Sequence, residues 1–197
     1  TDIHKIPVTI SRTGYTGDLG YEIWLDPSKS IELWDLLIES GKPFGITPAG
    51  LHALDMARIE ASLILLDVDY ISSRHALIDS RKSSPFELGL DWAVKMKGNN
   101  FIGKNSLALE KTTPSDWKFR GIEIDWEPME KLYNKAGLPP GLPDMAWRNS
   151  TPLYYKKQQV GYATSGCWSP IMKRNIALAH IQSDFADIGT TLDFEIK

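Results

Sequence analysis

Ile6-Pro7-Val8-Thr9-Ile10-Ser11-Arg12-Thr13-Gly14-Tyr15-Thr16-Gly17-Asp18-Leu19-Gly20-Tyr21-Glu22-Ile23-Trp24-Leu25 sets the architecture of the first part of this chain. Residues 6–10 are mostly β-branched and predict a short strand. Residues 11–20 form a loop punctuated by three glycines, and residues 21–25 regain strand character. In an extended segment side chains alternate, so Tyr21, Ile23 and Leu25 share one face while Glu22 and Trp24 share the other. The glycines are spaced GxxGxxG and a strand follows them. A dinucleotide site needs GxGxxG at a helix N-terminus, so that reading fails. What remains is a loop with tight turns, whose glycines beside an aromatic permit close approach of a flat ligand.

Outward from this stretch, Asp26 is placed to cap a helix with Pro27 at its first position. Ile31, Trp34, Leu37 and Ile38 then predict an apolar stripe, and Gly41 a stop. Thr47-Pro48 predicts a second helix, carrying Leu51, Leu54, Arg58 and Ile59 to about Ser62. Residues 63–85 look irregular. Residues 90–96 predict a strand, residues 98–103 a turn, and residues around 106–110 a short helix. Thr112-Thr113-Pro114-Ser115 is the strongest boundary signal, dividing the chain into 1–113 and 114–197. Beyond it, short strands are expected at 119–124, 152–155, 160–164, 176–181 and 191–196. Turn residues separate them, as in a small β-barrel or sandwich. Residues 126–148 interrupt the pattern as a Pro- and Trp-containing insertion. The fold class is α+β.

Composition excludes several functions. The chain has 197 residues, 42 % hydrophobic and 24 % charged, which is globular rather than disordered. A formal net charge of −3 lacks the basic field of a nonspecific nucleic-acid binder. No apolar run approaches the roughly 18 residues of a membrane span. Cys167 is the one cysteine, so neither an intrachain disulfide nor a thiolate metal site can form. This usage points to a reducing compartment, and a cytoplasmic location is expected. The chain starts at Thr1 without Met or leader, and it is expected to be part of a longer polypeptide.

Most motif-like features reduce to plain structure. Gly98 to Lys104 has the spacing GxxxxGK between a predicted strand and helix, but Asn105 stands where a phosphate loop needs Ser or Thr. It reads as a turn. His4, His52, His75 and His180 show no metal-ligand spacing and read as structural or surface histidines. Ser165 is not in a GxSxG elbow. Asn149-Ser150-Thr151 fits a glycosylation sequon by chance. Glu22 has two readings: a solvated face residue, or a planar bidentate acceptor for two adjacent N–H donors such as a pterin or guanidine edge. Tyr15, Trp24 and Trp92 are aromatics able to stack on a flat ring. Arg58, in an apolar helix, is either a partner for an acidic group or half of an internal ion pair.

Residues 11–23 resemble the signature of the glycine cleavage T-protein (aminomethyltransferase) family. So do Gly50-Leu51-His52-Ala53-Leu54-Asp55-Met56-Ala57-Arg58-Ile59-Glu60-Ala61 and Pro85-Phe86-Glu87-Leu88-Gly89-Leu90-Asp91-Trp92 followed by Phe101-Ile102-Gly103-Lys104. The likeness resumes at Val160-Gly161-Tyr162-Ala163-Thr164-Ser165-Gly166 and runs through Ser169-Pro170 to Lys173-Arg174-Asn175-Ile176-Ala177-Leu178-Ala179. The resemblance implies a tetrahydrofolate-binding protein of three subdomains, of which this chain looks like the second half. That half is the latter part of a folate-binding α/β domain followed by a C-terminal β-barrel. The family's pterin-holding Glu falls on Glu22, its loop tyrosine on Tyr15 and a ligand-side tryptophan on Trp92; Arg58 matches a family arginine. The family's catalytic Asp lies in the N-terminal half, so no catalytic residue is assigned here. The implied partners are that half, a lipoyl carrier protein and a small one-carbon donor, with no nucleic acid or membrane. Two departures stand out. Ala53-Leu54-Asp55 replaces the family's usual Ala-Arg-Asp, and residues 126–148 are an added segment. Both point to a paralogue with another one-carbon donor. The alternatives are a folate-dependent demethylase of a methylated amine or sulfonium, or a folate-binding module without turnover.

Overall fold

The computed structural model describes residues 1–98, 100–141 and 143–196. Among them lie four α-helices and two antiparallel sheets, an α+β arrangement as expected. The chain divides into two compact units, residues 1–63 and 64–197.

The first unit is built on a three-stranded sheet of β1 (Asp2–Ile3), β2 (Ile6–Ser11) and β3 (Glu22–Leu25), in that order. A two-residue turn joins β1 to β2, with His4 and Lys5 both at positive φ, the backbone of a type I′ hairpin. Val8 pairs with Leu25 and Ser11 with Glu22, which fixes the faces of the sheet. Ile6 and Val8 are buried against Leu33 of α1 (Ser30–Gly41), with Ile23, Leu25, Leu36 and Leu37 packed around them. Asp26 starts this region as expected, its Oδ1 accepting from the Ser28 amide at 2.9 Å and hydroxyl at 2.6 Å. The Ser28 hydroxyl, and then its amide, hold the Asp26 carboxyl below the usual carboxylate range. The buried face of α1 differs from the predicted stripe. Ile31 and Trp34 are 76 % and 54 % exposed, and Leu33 and Leu36 take the core side with Leu37. Two apolar ridges run along this helix, and the β2–β3 surface selects the leucine one. The second helix, α2 (Leu51–Glu60), begins after Gly50, a turn later than Thr47-Pro48 suggested.

The second unit starts with irregular chain as far as α3 (Lys104–Thr112), close to the expected short helix. The predicted strand at 90–96 is absent. Asp91–Ala93 is a single 3-10 turn, preceded by Gly89 at φ 71° and followed by Gly98 at φ 102°. Both glycines turn the chain sharply, so the apolar run cannot extend into a ladder. Of the GxxxxGK segment, Asn99 lies outside the described residues; Lys104 Nζ donates to the Gly98 carbonyl at 3.2 Å.

A five-stranded sheet follows, in the order β4 (Trp117–Ile124), β7 (Arg174–Gln182), β6 (Gln158–Ser169), β5 (Thr151–Tyr155) and β8 (Asp193–Phe194). The expected strands of this half are all present. The segment expected as an insertion holds α4 (Trp126–Lys135), capped by Asp125 accepting from the Glu127 amide at 3.2 Å. Gly137 at φ 69° ends it, with Gly137 and Leu138 donating back to Asn134 and Tyr133. Leu142 of this segment lies outside the described residues. The core of the sheet is small: Leu153, Ala163, Ala177, Ala179 and Ile181, ringed by Ile122, Ile124, Trp147 and Phe194. Alanines permit close approach of neighbouring layers. Gly166 carries that furthest, since a Cβ there would sit 2.3 Å from the Trp147 ring.

Candidate functional site

Glu22 opens β3, directly opposite Ser11 of β2. Its Oε2 accepts from the Thr13 hydroxyl in a short hydrogen bond, with the Ser11 hydroxyl 3.4 Å away. Since Thr13 gives its one hydroxyl proton to Glu22, Ser11 donates its own to Thr13 at 2.7 Å. The carboxylate is thus oriented by the Thr13 hydroxyl, which Ser11 backs, and among the described residues no cation is paired with it. The bond falls on one oxygen, and a carboxylate offers about four lone-pair positions, so capacity remains for an incoming pair of N–H donors. The side chain is exposed, and so is Trp24, 63 % exposed on the same strand face.

The glycine loop is closed on itself and seated on α2. A Cβ on Gly14 would meet the Gly20 Cα at 3.6 Å, so the two ends of the loop nearly touch. Gly17 has φ 81°, and a Cβ on it would lie 2.6 Å from the Ala61 Cβ at the end of α2. That position therefore requires glycine on two independent grounds, conformation and space. Tyr15 is half-buried in this loop.

Arg58 is fully buried in the last turn of α2. Its Nε donates to Asp55 Oδ1 at 2.8 Å and its Nη1 to the Leu63 carbonyl at 3.4 Å. A cation near a helix C-terminus also meets the negative end of the helix dipole. Of the two readings open to Arg58, the structure displays the internal ion pair. Glu22, Tyr15 and Arg58 all belong to residues 1–63. Trp92 belongs to the other unit, 79 % exposed in the 3-10 turn Asp91–Ala93.

Sequence reasoning passed over one cluster, in the second unit. Asp69 is 1 % exposed and accepts from the Leu65 amide at 2.8 Å, Thr164 Oγ1 at 2.5 Å and Ser165 Oγ at 2.7 Å. Adjacent strand residues normally point to opposite faces. Here β6 slips register between Ala163 and Ser165, and that bulge lets both hydroxyls converge on one carboxylate. His180 Nε2 donates to the Asp69 main-chain carbonyl at 2.6 Å. The ring is stacked on Tyr162 at 5.1 Å and meets the edge of Phe119 at 4.9 Å. Burial, and next the charge of Glu87, push the Tyr162 phenol up. Although Ser, His and Asp meet, the imidazole reaches a main-chain oxygen and not the Ser165 hydroxyl, and all three are buried. The arrangement locks residues 64–70 to the sheet. Among the described residues no group of His, Cys, Asp and Glu is arranged to hold a metal.

Comparison with known proteins identifies the family. Residues 1–98 match the family described as GCVT N-terminal domain, and residues 137–197 the family described as glycine cleavage T-protein C-terminal barrel domain. The chain belongs to the glycine cleavage T-protein family. An aminomethyltransferase of Oceanobacillus iheyensis is 36 % identical over 189 residues, which cover 95 % of this chain and 44 % of that protein. One from Alkaliphilus metalliredigens is 35 % identical over 196 residues, 99 % of this chain and 46 % of the relative. The crystal structure of glycine cleavage system aminomethyltransferase T from Bartonella henselae shares the fold, with a TM-score of 0.73 at 21 % identity over 95 % of this chain and 45 % of that one. This T-protein family chain therefore spans about half the length of the curated relatives it matches. The family and the α+β fold with a C-terminal barrel domain agree with the sequence reading. No described helix is long and apolar enough to cross a membrane.

Proposed function

We propose that this chain is the folate-holding part of a tetrahydrofolate-dependent one-carbon transferase of the T-protein type. The observation that carries the reading is the orientation of Glu22 by Thr13, itself held by Ser11. A carboxylate whose plane is set before the ligand arrives loses little freedom when it accepts two parallel N–H bonds, which suits the amino-pyrimidine edge of a pterin. Trp24 on the same face and Tyr15 in the glycine loop offer apolar surface to the flat rings, and Trp92 offers an exposed indole in its own unit. Arg58 contributes by holding the end of α2, on which Gly17 seats the loop. When bound, tetrahydrofolate supplies the nitrogen that exchanges the one-carbon unit.

The residues of this chain bind and orient, and positioning alone lowers a barrier substantially. By the family resemblance the acid–base group is assigned to the N-terminal half of the full-length proteins; this chain matches 44 % to 47 % of their length. That half, a lipoyl carrier protein and a small donor are the proposed partners. Leu54, where the family's usual arginine is expected, removes a cation from α2 and favours a paralogue whose donor differs from the aminomethyl carrier; a methylated amine or sulfonium is the alternative donor. We place the functional boundary at 113/114, between the two family-matched segments, and the protein in the cytoplasm.

Titration of tetrahydrofolate into this chain and into Glu22→Ala tests the site. A carboxylate-assisted pair of hydrogen bonds contributes about 1.5–3 kcal/mol, so the variant is expected to bind at least roughly tenfold more weakly. Equal affinity removes the site. Turnover with an aminomethyl-lipoyl carrier or with methylated amines is expected only when the N-terminal half is supplied; turnover by this chain alone contradicts the division of labour.

A further inference from the structure

A cavity of about 860 Å³ opens within residues 64–197, lined by both edge strands of the five-stranded sheet, β4 and β8. The sheet thus curls towards closure and leaves a seam. The floor of the seam is Ile122, Leu153, Ile181 and Phe194, the open side of the small core. One wall is α4, through Met129 and Leu132. Natural interiors are packed nearly as densely as organic crystals, and an apolar hollow of this size falls in the roughly 300–1,000 Å³ range of small-molecule sites. Leu132 and Ile188, at 56 % and 104 % exposed, leave apolar surface at its mouth. β4 and α4 lie between the two family-matched segments, so this wall belongs to neither.

The charge at the rim is one-sided. Asp125, Asp187 and Asp193 line the cavity against the single guanidinium of Arg120. Arg120 is turned to main-chain oxygens, donating to Ala186 at 3.2 Å and Phe119 at 3.0 Å. Glu123, also at the rim, is matched by Arg174 at 2.5 Å. Among the described residues neither Asp187 nor Asp193 has a cationic partner. We infer that this seam binds a small apolar amine, its hydrocarbon or aromatic part on the Ile122–Ile181 floor and its ammonium at Asp187 and Asp193. The apolar part contributes most of the binding and the carboxylates select the charge.

The test uses three probes of one shape: 4-phenylbutylamine, 4-phenylbutanol and 4-phenylbutyrate, each titrated at neutral pH while backbone amide shifts are followed by NMR. The amine is expected to bind about tenfold or more tighter than the acid at low salt, with the alcohol between, and the preference to shrink as salt rises. The shifts are expected at Ile122, Met129, Ile181 and Asp193. Asp187→Asn with Asp193→Asn, both away from the core, is expected to keep the folded spectrum and bring the amine to the affinity of the alcohol. Equal binding of amine and acid, a preference that survives the double variant, or shifts centred elsewhere overturns the assignment.

Discussion

Arg58 shows how far a single side chain can be committed by its surroundings. A guanidinium with no exposed surface is tolerated because Asp55 lies one turn earlier on the same helix face, within 2.8 Å. Removing one partner of such a pair leaves an uncompensated charge in a poorly solvated place. Arg58→Met is therefore expected to destabilise the chain by about 3–5 kcal/mol, read as a lowered midpoint in urea unfolding. A midpoint unchanged within error contradicts the buried-pair description. At this scale the sequence was partly legible. Glu22 stood out because a carboxylate in an alternating apolar strand beside glycines is chemically conspicuous. Arg58 stayed ambiguous, since helical spacing reveals the neighbour Asp55 but not the depth of burial. Asp69 was invisible. Its partners Thr164 and Ser165 are 95 and 96 residues away, and they meet it only because of a bulge that no local pattern announces.

Among the elements, the hairpins carry avoidable strain. Lys156 and Lys157 join β5 to β6 at φ 48° and 70°, a backbone that Asn and Gly adopt more readily. Each L residue in the left-handed region costs roughly 1–2 kcal/mol, partly offset by the larger entropy of an unfolded glycine, roughly 0.5–1 kcal/mol. Lys156→Asn with Lys157→Gly is expected to stabilise by about 1 kcal/mol, raising Tm by about 2–4 °C in a thermal scan. An unchanged or lower Tm contradicts the assignment of strain to that turn. The same physics explains which elements could be read in advance. β2, β3, β6 and β7 declare themselves by alternation and turn residues. The 90–96 strand was misread because apolar content outweighed Gly89 and Gly98, whose positive φ angles turn the chain. The helix α4 lay unread inside the Pro- and Trp-containing insertion 126–148, although Asp125 is a capping signal and Pro is tolerated in a first turn. On α1, two apolar ridges are equivalent until a sheet chooses between them.

In the whole molecule, residues 1–63 provide an oriented carboxylate and residues 64–197 a locked sheet with an open seam. Family membership was legible because blocks in fixed order span nearly the whole chain. The donor was not, because the chain spans about half the length of the relatives it matches. Whether Glu22 receives the N–H edge of a pterin is decided by a double-mutant cycle on ligand and protein. Calorimetry would compare tetrahydrofolate with an analogue lacking the 2-amino group, against the native chain and Glu22→Ala. Loss of the amino group is expected to weaken binding about tenfold in the native chain and hardly at all in the variant. The same weakening in both proteins would show that this carboxylate does not meet the ring edge.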